Sequence, residues 1–111
     1  MLRGILYQTI QADASGATVR LLPESPVYQG HFPGYAITPG VCLVQMALEL
    51  IGEAAGRKVR LVAAKNIKFV APVFPAEGTE LRFNLSGAGS DWSVEIVNAE
   101  VLSAKMSLVV E

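Results

Sequence analysis

From Thr79 to Ser86 apolar and polar residues alternate without a break. Leu81, Phe83 and Leu85 fall on one side, Glu80, Arg82 and Asn84 on the other, the pattern of a strand with one face in a core. Trp92, Val94 and Ile96 resume the period of two after Gly87-Ala88-Gly89-Ser90-Asp91, which predicts a turn and an antiparallel partner. Leu102, Ala104, Met106, Leu108 and Val110 predict a last strand. At the other end, Ile5 to Gln11 and Ala17 to Leu22 are short β-prone runs on either side of Asp13-Ala14-Ser15-Gly16, and read as a hairpin. Val59, Leu61 and Ala63, then Ile67 and Phe69, extend the alternation through the middle of the chain, with Pro72 and Pro75 ending it.

The pattern changes between these strands. From Pro23 to Gly40 prolines and glycines recur too often for regular helix or central strand, and a loop of this length in a small domain is usually functional. Thr38 suits an N-cap and Pro39 the first helical position, so a helix should run from here to about Gly52 or Gly56. It is apolar nearly all round, which predicts a largely buried helix, with Gln45, Glu49 and Glu53 spaced four apart as one narrow polar stripe. Two strands, one buried helix and three or four more strands make an α+β class, an antiparallel sheet wrapped around one long helix.

Composition narrows the function. The 111 residues are 51% hydrophobic and 17% charged, as expected for one compact domain, residues 1–111, with apolar surface left for a partner, at least a dimer. A net charge of −1 gives no field for a phosphate backbone, so nucleic acid is not an expected ligand. Cys42 is the one cysteine, which excludes an internal disulfide and fits a reducing cytoplasm. Neither a signal peptide nor a membrane span is evident, and one His, one Cys and scattered carboxylates offer no metal ligand set.

The chemistry is concentrated between Gly30 and Glu49. Gly30-His31-Phe32-Pro33-Gly34 followed by Thr38-Pro39-Gly40-Val41 resembles the signature of the hotdog-fold 3-hydroxyacyl-(acyl-carrier-protein) dehydratases, a His-Phe-Pro-Gly loop leading to Pro-Gly-Val at a helix start. Asn66-Ile67-Lys68-Phe69, Ala71-Pro72-Val73 and Pro75 are similar to the strand and turn that follow the helix in that family. The resemblance covers roughly Val27 to Leu85 and implies a hotdog fold and dehydration of an acyl-carrier-protein or coenzyme A thioester without a cofactor. It also implies a homodimer or higher homo-oligomer, in which the loop His faces the helix residue of the other protomer. One departure stands out: the family places Glu or Asp fourteen positions after the His, and here that residue is Gln45.

Removing water from a 3-hydroxyacyl thioester requires a base at C2, donors for the thioester oxygen as it gains charge, and an acid for the leaving hydroxyl. A neutral His31 suits the first task. Backbone N–H groups of Gly40 and Val41 suit the second, being free of intrahelical acceptors at the positive end of a helix, with Phe32 and Gly34 counted among the substrate-binding residues. The third is open. Gln45 can hydrogen-bond a hydroxyl but supplies no proton, so either Glu49, one turn along and raised in pKa if buried, acts as the acid, or His31 returns the proton while Gln45 orients the leaving group. The bland reading turns the Gln45/Glu49/Glu53 stripe to solvent, gives Gly34 and Pro39-Gly40 only folding roles, makes Cys42 core filler, and leaves Arg57, Lys58 and Arg60 solvated rather than attracting an acidic carrier protein. Two other functions compete: a non-catalytic acyl-thioester binding or scaffold subunit, and a hotdog thioesterase using Glu49 with water.

Overall fold

The computed structural model describes residues 1–29, 37–76 and 79–111. In chain order the elements are β1 (Tyr7–Asp13), β2 (Gly16–Leu21), a one-turn helix α1 (Pro26–Gln29), α2 (Gly40–Ala55), β3 (Leu61–Phe69), β4 (Glu80–Ala88), β5 (Asp91–Asn98) and β6 (Val101–Val110). The strands form one antiparallel sheet in the order β1-β2-β4-β5-β6-β3. This is the α+β hotdog layout that the pattern and the resemblance imply.

The alternation in β4 has the expected cause. Leu81, Phe83 and Leu85 are buried, and Leu81 and Phe83 stand opposite Val19 and Ala17 on β2 while Phe83 and Leu85 face Ile96 and Val94 on β5. Ala104, Met106, Leu108 and Val110 continue the inner face on β6. Against this face α2 lays Leu43, Met46, Ala47, Leu50 and Ile51, each buried, and burying such a side chain contributes about 1.5–3 kcal/mol. The hairpin joining β1 to β2 turns at Ala14-Ser15 and depends on Gly16, whose φ of 148° and bare Cα let the chain pass the Phe83 carbonyl; a Cβ there would lie 1.9 Å from that oxygen.

Helix α2 ends where its sequence suggests, with Gly56 at φ 71° as a left-handed cap whose N–H donates to the Glu53 carbonyl. Its start differs. Pro39, not Thr38, is the N-cap and offers no capping side chain; the Thr38 hydroxyl is instead hydrogen-bonded at 2.9 Å to the buried hydroxyl of Tyr28. Tyr28 belongs to α1, a turn of helix inside the Pro/Gly-rich passage from which helix was excluded; Ser25 starts it, accepting the Val27 N–H on its hydroxyl and the Tyr28 N–H on its carbonyl. The proline at its start does not forbid this turn of helix, because Pro26 occupies its first position.

Strand β3 departs furthest from expectation. Its register against β6 shifts twice, between Leu61 and Ala63 and between Ala64 and Asn66, so the period of two read in the sequence is broken. All nine of its residues are exposed, including Leu61, Val62, Ile67 and Phe69, because β3 is a sheet edge paired on one side only, to β6.

Candidate active site

The head of α2 carries backbone donors and no side-chain cap. The Cys42 and Leu43 N–H groups both donate to the Pro39 carbonyl, at 3.0 and 3.2 Å, whereas the Gly40 and Val41 N–H groups before them find no acceptor among the described residues. Two donors with no acceptor among the described residues, at the positive end of a sixteen-residue helix, suit an anionic or polarised oxygen. Val41 is 76% exposed. Gly40 has a packing role besides: the Phe69 ring of β3 fills the space of its missing side chain, and a Cβ there would lie 2.6 Å from the ring's Cζ.

One turn further along the same face are Gln45 and Glu49, which the structure brings together. The Gln45 Nε2 donates to Glu49 Oε2 at 2.9 Å. Glu49 is only 8% exposed and accepts three more hydrogen bonds: the Leu2 N–H on Oε2 at 2.7 Å, and the Arg3 N–H and the Tyr7 hydroxyl on Oε1 at 3.1 and 2.9 Å. Burial by itself would raise this carboxyl's pKa, which is the ground for reading it as an acid. Four donors outweigh that burial and hold the pKa below the ordinary glutamate value. Glu49 is therefore a carboxylate anchored by four donors, and its pKa is lowered rather than raised as burial alone would have it, a correction to the expectation of a raised carboxyl. Tyr7 shows the complementary effect: burial first, then the carboxylate beside it, hold its phenol far above the usual range, so it stays a donor.

The polar stripe accordingly divides. Glu49 is inside, Gln45 is exposed, and Glu53 pairs with Arg3 at the surface. The segment before β1 thus straps the helix through Leu2 and Arg3, joined by Tyr7 at the start of β1, none of which sequence reasoning placed at the site. The signal available was slight: a tyrosine on an inward strand position needs a partner for its hydroxyl.

Beside this strap α2 and the start of β3 enclose an open groove of about 830 Å³. Val41, Val44 and Leu48 form its apolar floor, Gln45 and Glu49 its polar spot, and Arg57, Lys58 and Arg60 one end. Arg57 donates to the Gly89 carbonyl at 3.0 Å and Arg60 pairs with Glu111, so two of the three basic residues are already engaged. Cys42 is half-buried and burial pushes its thiol up, in keeping with a packing role. His31, Phe32 and Gly34 lie outside the described residues. Among the described residues no three His, Cys, Asp or Glu side chains gather to hold a metal, and no helix is long and apolar enough to cross a membrane.

Comparison with known proteins agrees with this architecture. Residues 7–106 match a family model described as ApeI-like, ApeI dehydratase. Among curated relatives named 3-hydroxyacyl-[acyl-carrier-protein] dehydratase FabZ, the one from Geotalea uraniireducens is 36% identical over 83 residues, covering 64% of this chain and 56% of that protein. The Geobacter metallireducens protein is 29% identical over 88 residues, covering 71% and 57%. The Rhodospirillum rubrum protein is 31% identical over 120 aligned positions, covering 91% and 74%. The chain spans a little over half the length of the first two. Among solved structures, the dehydratase heterocomplex ApeI:P from Xenorhabdus doucetiae superposes with a TM-score of 0.74 at 16% identity over 93% of each chain. PaaI of Escherichia coli, from the phenylacetic acid degradation operon, gives 0.65 at 19% identity over 99% of this chain and 81% of its own.

Proposed function

Because the chain belongs to the ApeI-like dehydratase family, we propose that it removes water from 3-hydroxyacyl thioesters, acyl-carrier-protein-linked, to give trans-2-enoyl thioesters in fatty-acid or related acyl-chain synthesis. It would do so in the cytoplasm, as a hotdog domain of residues 1–111 paired with a second copy. The observation that carries this reading is the head of α2: the N–H groups of Gly40 and Val41 have no acceptor among the described residues, and Val41 lines an apolar groove that also holds Gln45 and Glu49. These donors meet the thioester oxygen, where enolate charge develops. His31 takes the C2 proton, the C3–O bond breaks as the double bond forms, and the imidazolium returns that proton to the departing hydroxyl as water. Gln45 orients the hydroxyl, and Phe32 and Gly34 help hold the thioester. Glu49 holds the helix face and the strap, having no proton to give. Lys58 and its neighbours Arg57 and Arg60 attract the acidic carrier. The exposed apolar edge of β3 supports pairing with a second copy, whose loop would bring its His31 to this helix.

The test supplies a 3-hydroxyacyl carrier-protein thioester and follows enoyl product and free thiol separately. Enoyl product lost in His31→Ala supports dehydration. Thiol release without enoyl product would make the protein a thioesterase, and full activity in His31→Ala would remove the base from the mechanism.

A second reading is favoured by the site having an amide where the family expects a carboxylate. The chain would then be a non-catalytic binding subunit, or one half of a site completed by a different hotdog chain, as the Xenorhabdus doucetiae heterocomplex joins two proteins. Product formed only after a carboxylate-bearing partner is added, or a large rate gain in Gln45→Glu alone, would favour it.

A further inference from the structure

The pair Gln45–Glu49 has a polarity that the groove inherits. A carboxylate can only accept hydrogen bonds, whereas a glutamine amide presents a donor on one side and an acceptor on the other. Because Gln45 Nε2 donates to Glu49 Oε2 at 2.9 Å, the amide oxygen is on the side away from the carboxylate, on an exposed side chain that lines the groove. The reverse orientation would set two acceptors against each other. Nor is the carboxylate free to swing aside: Leu2 shares its Oε2, Arg3 and Tyr7 occupy its Oε1, and all three are held by the strap and by β1.

We propose that Glu49 is a positioning residue that fixes the polarity of Gln45, so that the amide oxygen faces the groove and accepts a hydrogen bond from the 3-hydroxyl of the acyl chain. Gln45 is then the residue that makes the site prefer a 3-hydroxyacyl chain to a saturated or enoyl chain, neither of which has a donor at C3. The inference rests on the groove being an acyl-thioester site and adds to that reading the device that sets which end of the Gln45 amide meets the hydroxyl. It also separates the two members of the pair: Gln45 touches the ligand, and Glu49 acts only through Gln45. A carboxylate at position 45, the family's usual residue, would sit against Glu49 as a like charge, which accounts for an amide in that place once Glu49 is anchored.

The experiment measures binding by titration calorimetry of two inert amide analogues of acyl-pantetheine, identical but for a 3-hydroxyl. One neutral hydrogen bond contributes about 0.5–1.5 kcal/mol, so the wild-type protein should bind the hydroxylated analogue about two- to twelvefold more tightly. In Gln45→Leu, an exposed helix position, that preference should vanish while affinity for the plain acyl analogue is kept. In Glu49→Gln the preference should also fall, because an amide at 49 can accept or donate and no longer dictates which way Gln45 turns. A purely structural Glu49 would lower both affinities together and leave their ratio unchanged. Should Glu49→Gln fail to fold, Gln45→Leu decides alone. A preference that survives Gln45→Leu, or equal binding of the two analogues by wild type, overturns the inference and leaves the acyl-site reading standing. Failure of wild type to bind either analogue overturns both.

Discussion

Glu49 shows why a residue's role can be invisible in its own neighbourhood of sequence. Its helix predicts burial correctly, but the four groups that settle its protonation include Leu2, Arg3 and Tyr7, more than forty positions away. Replacing it by Ala strands a buried phenol and frees the strap, and should cost about 2–3 kcal/mol in urea unfolding. Its pH dependence has a definite sign. The folded-state pKa lies below the ordinary value of 4.5, so the stabilisation is complete above that value and is lost as pH falls from there through the folded pKa. The protection of the Leu2 and Arg3 amides, measured relative to their intrinsic exchange rates, should fall over that range, and protection that persists would show the strap held by other means. Gly40 is similarly double. The sequence motif marks it for its N–H, while the structure adds the Phe69 ring against its Cα. Gly40→Ala should lower stability by about 1 kcal/mol through overpacking, and Phe69→Ala in the same chain should recover most of that loss in a double-mutant cycle. Independent, additive effects would mean that the two do not touch.

At the scale of elements, legibility followed how many partners an element has. β4 and β5 are flanked on both sides, so their alternation reports a real inside and outside, and β6 likewise shows its inward set. β3 has a neighbour on one edge only and two register shifts, so its residues obey no single inward set and the pattern misleads. The helix was legible in length and end but not in orientation, since a nearly all-apolar sequence does not say which side meets the sheet. The structure supplies the answer, with Leu50 buried and Val41 at the groove. Leu50→Ala should therefore cost about 2–5 kcal/mol, whereas Val41→Ala should change the stability of the free chain by less than about 0.5 kcal/mol. Comparable losses at the two positions, measured by chemical denaturation, would contradict this orientation of α2. The motif itself was legible from residue types alone, because Pro39-Gly40 stands directly before the apolar run that α2 forms; that Glu49 is an anchor was not, because anchoring needs the strap.

For the molecule as a whole, the exposed side chains of Leu61, Val62, Ile67, Phe69 and Val70 make one edge of the sheet unusually apolar for a surface. Val62→Lys on that edge should shift the protein toward monomer in sedimentation, with the far-ultraviolet spectrum unchanged and turnover of the thioester reduced. Unaltered sedimentation would place the subunit contact elsewhere. The basic end of the groove has its own built-in observable. The Gly89 carbonyl accepts both the Arg57 guanidinium, at 3.0 Å, and the indole N–H of Trp92, the chain's one tryptophan, at 3.1 Å. An anionic headgroup that draws Arg57 away would leave that carbonyl to the indole alone and change the polarity around it. The emission maximum of Trp92 should then move as such a ligand is titrated, and the protein would report its own occupancy optically, without any added label.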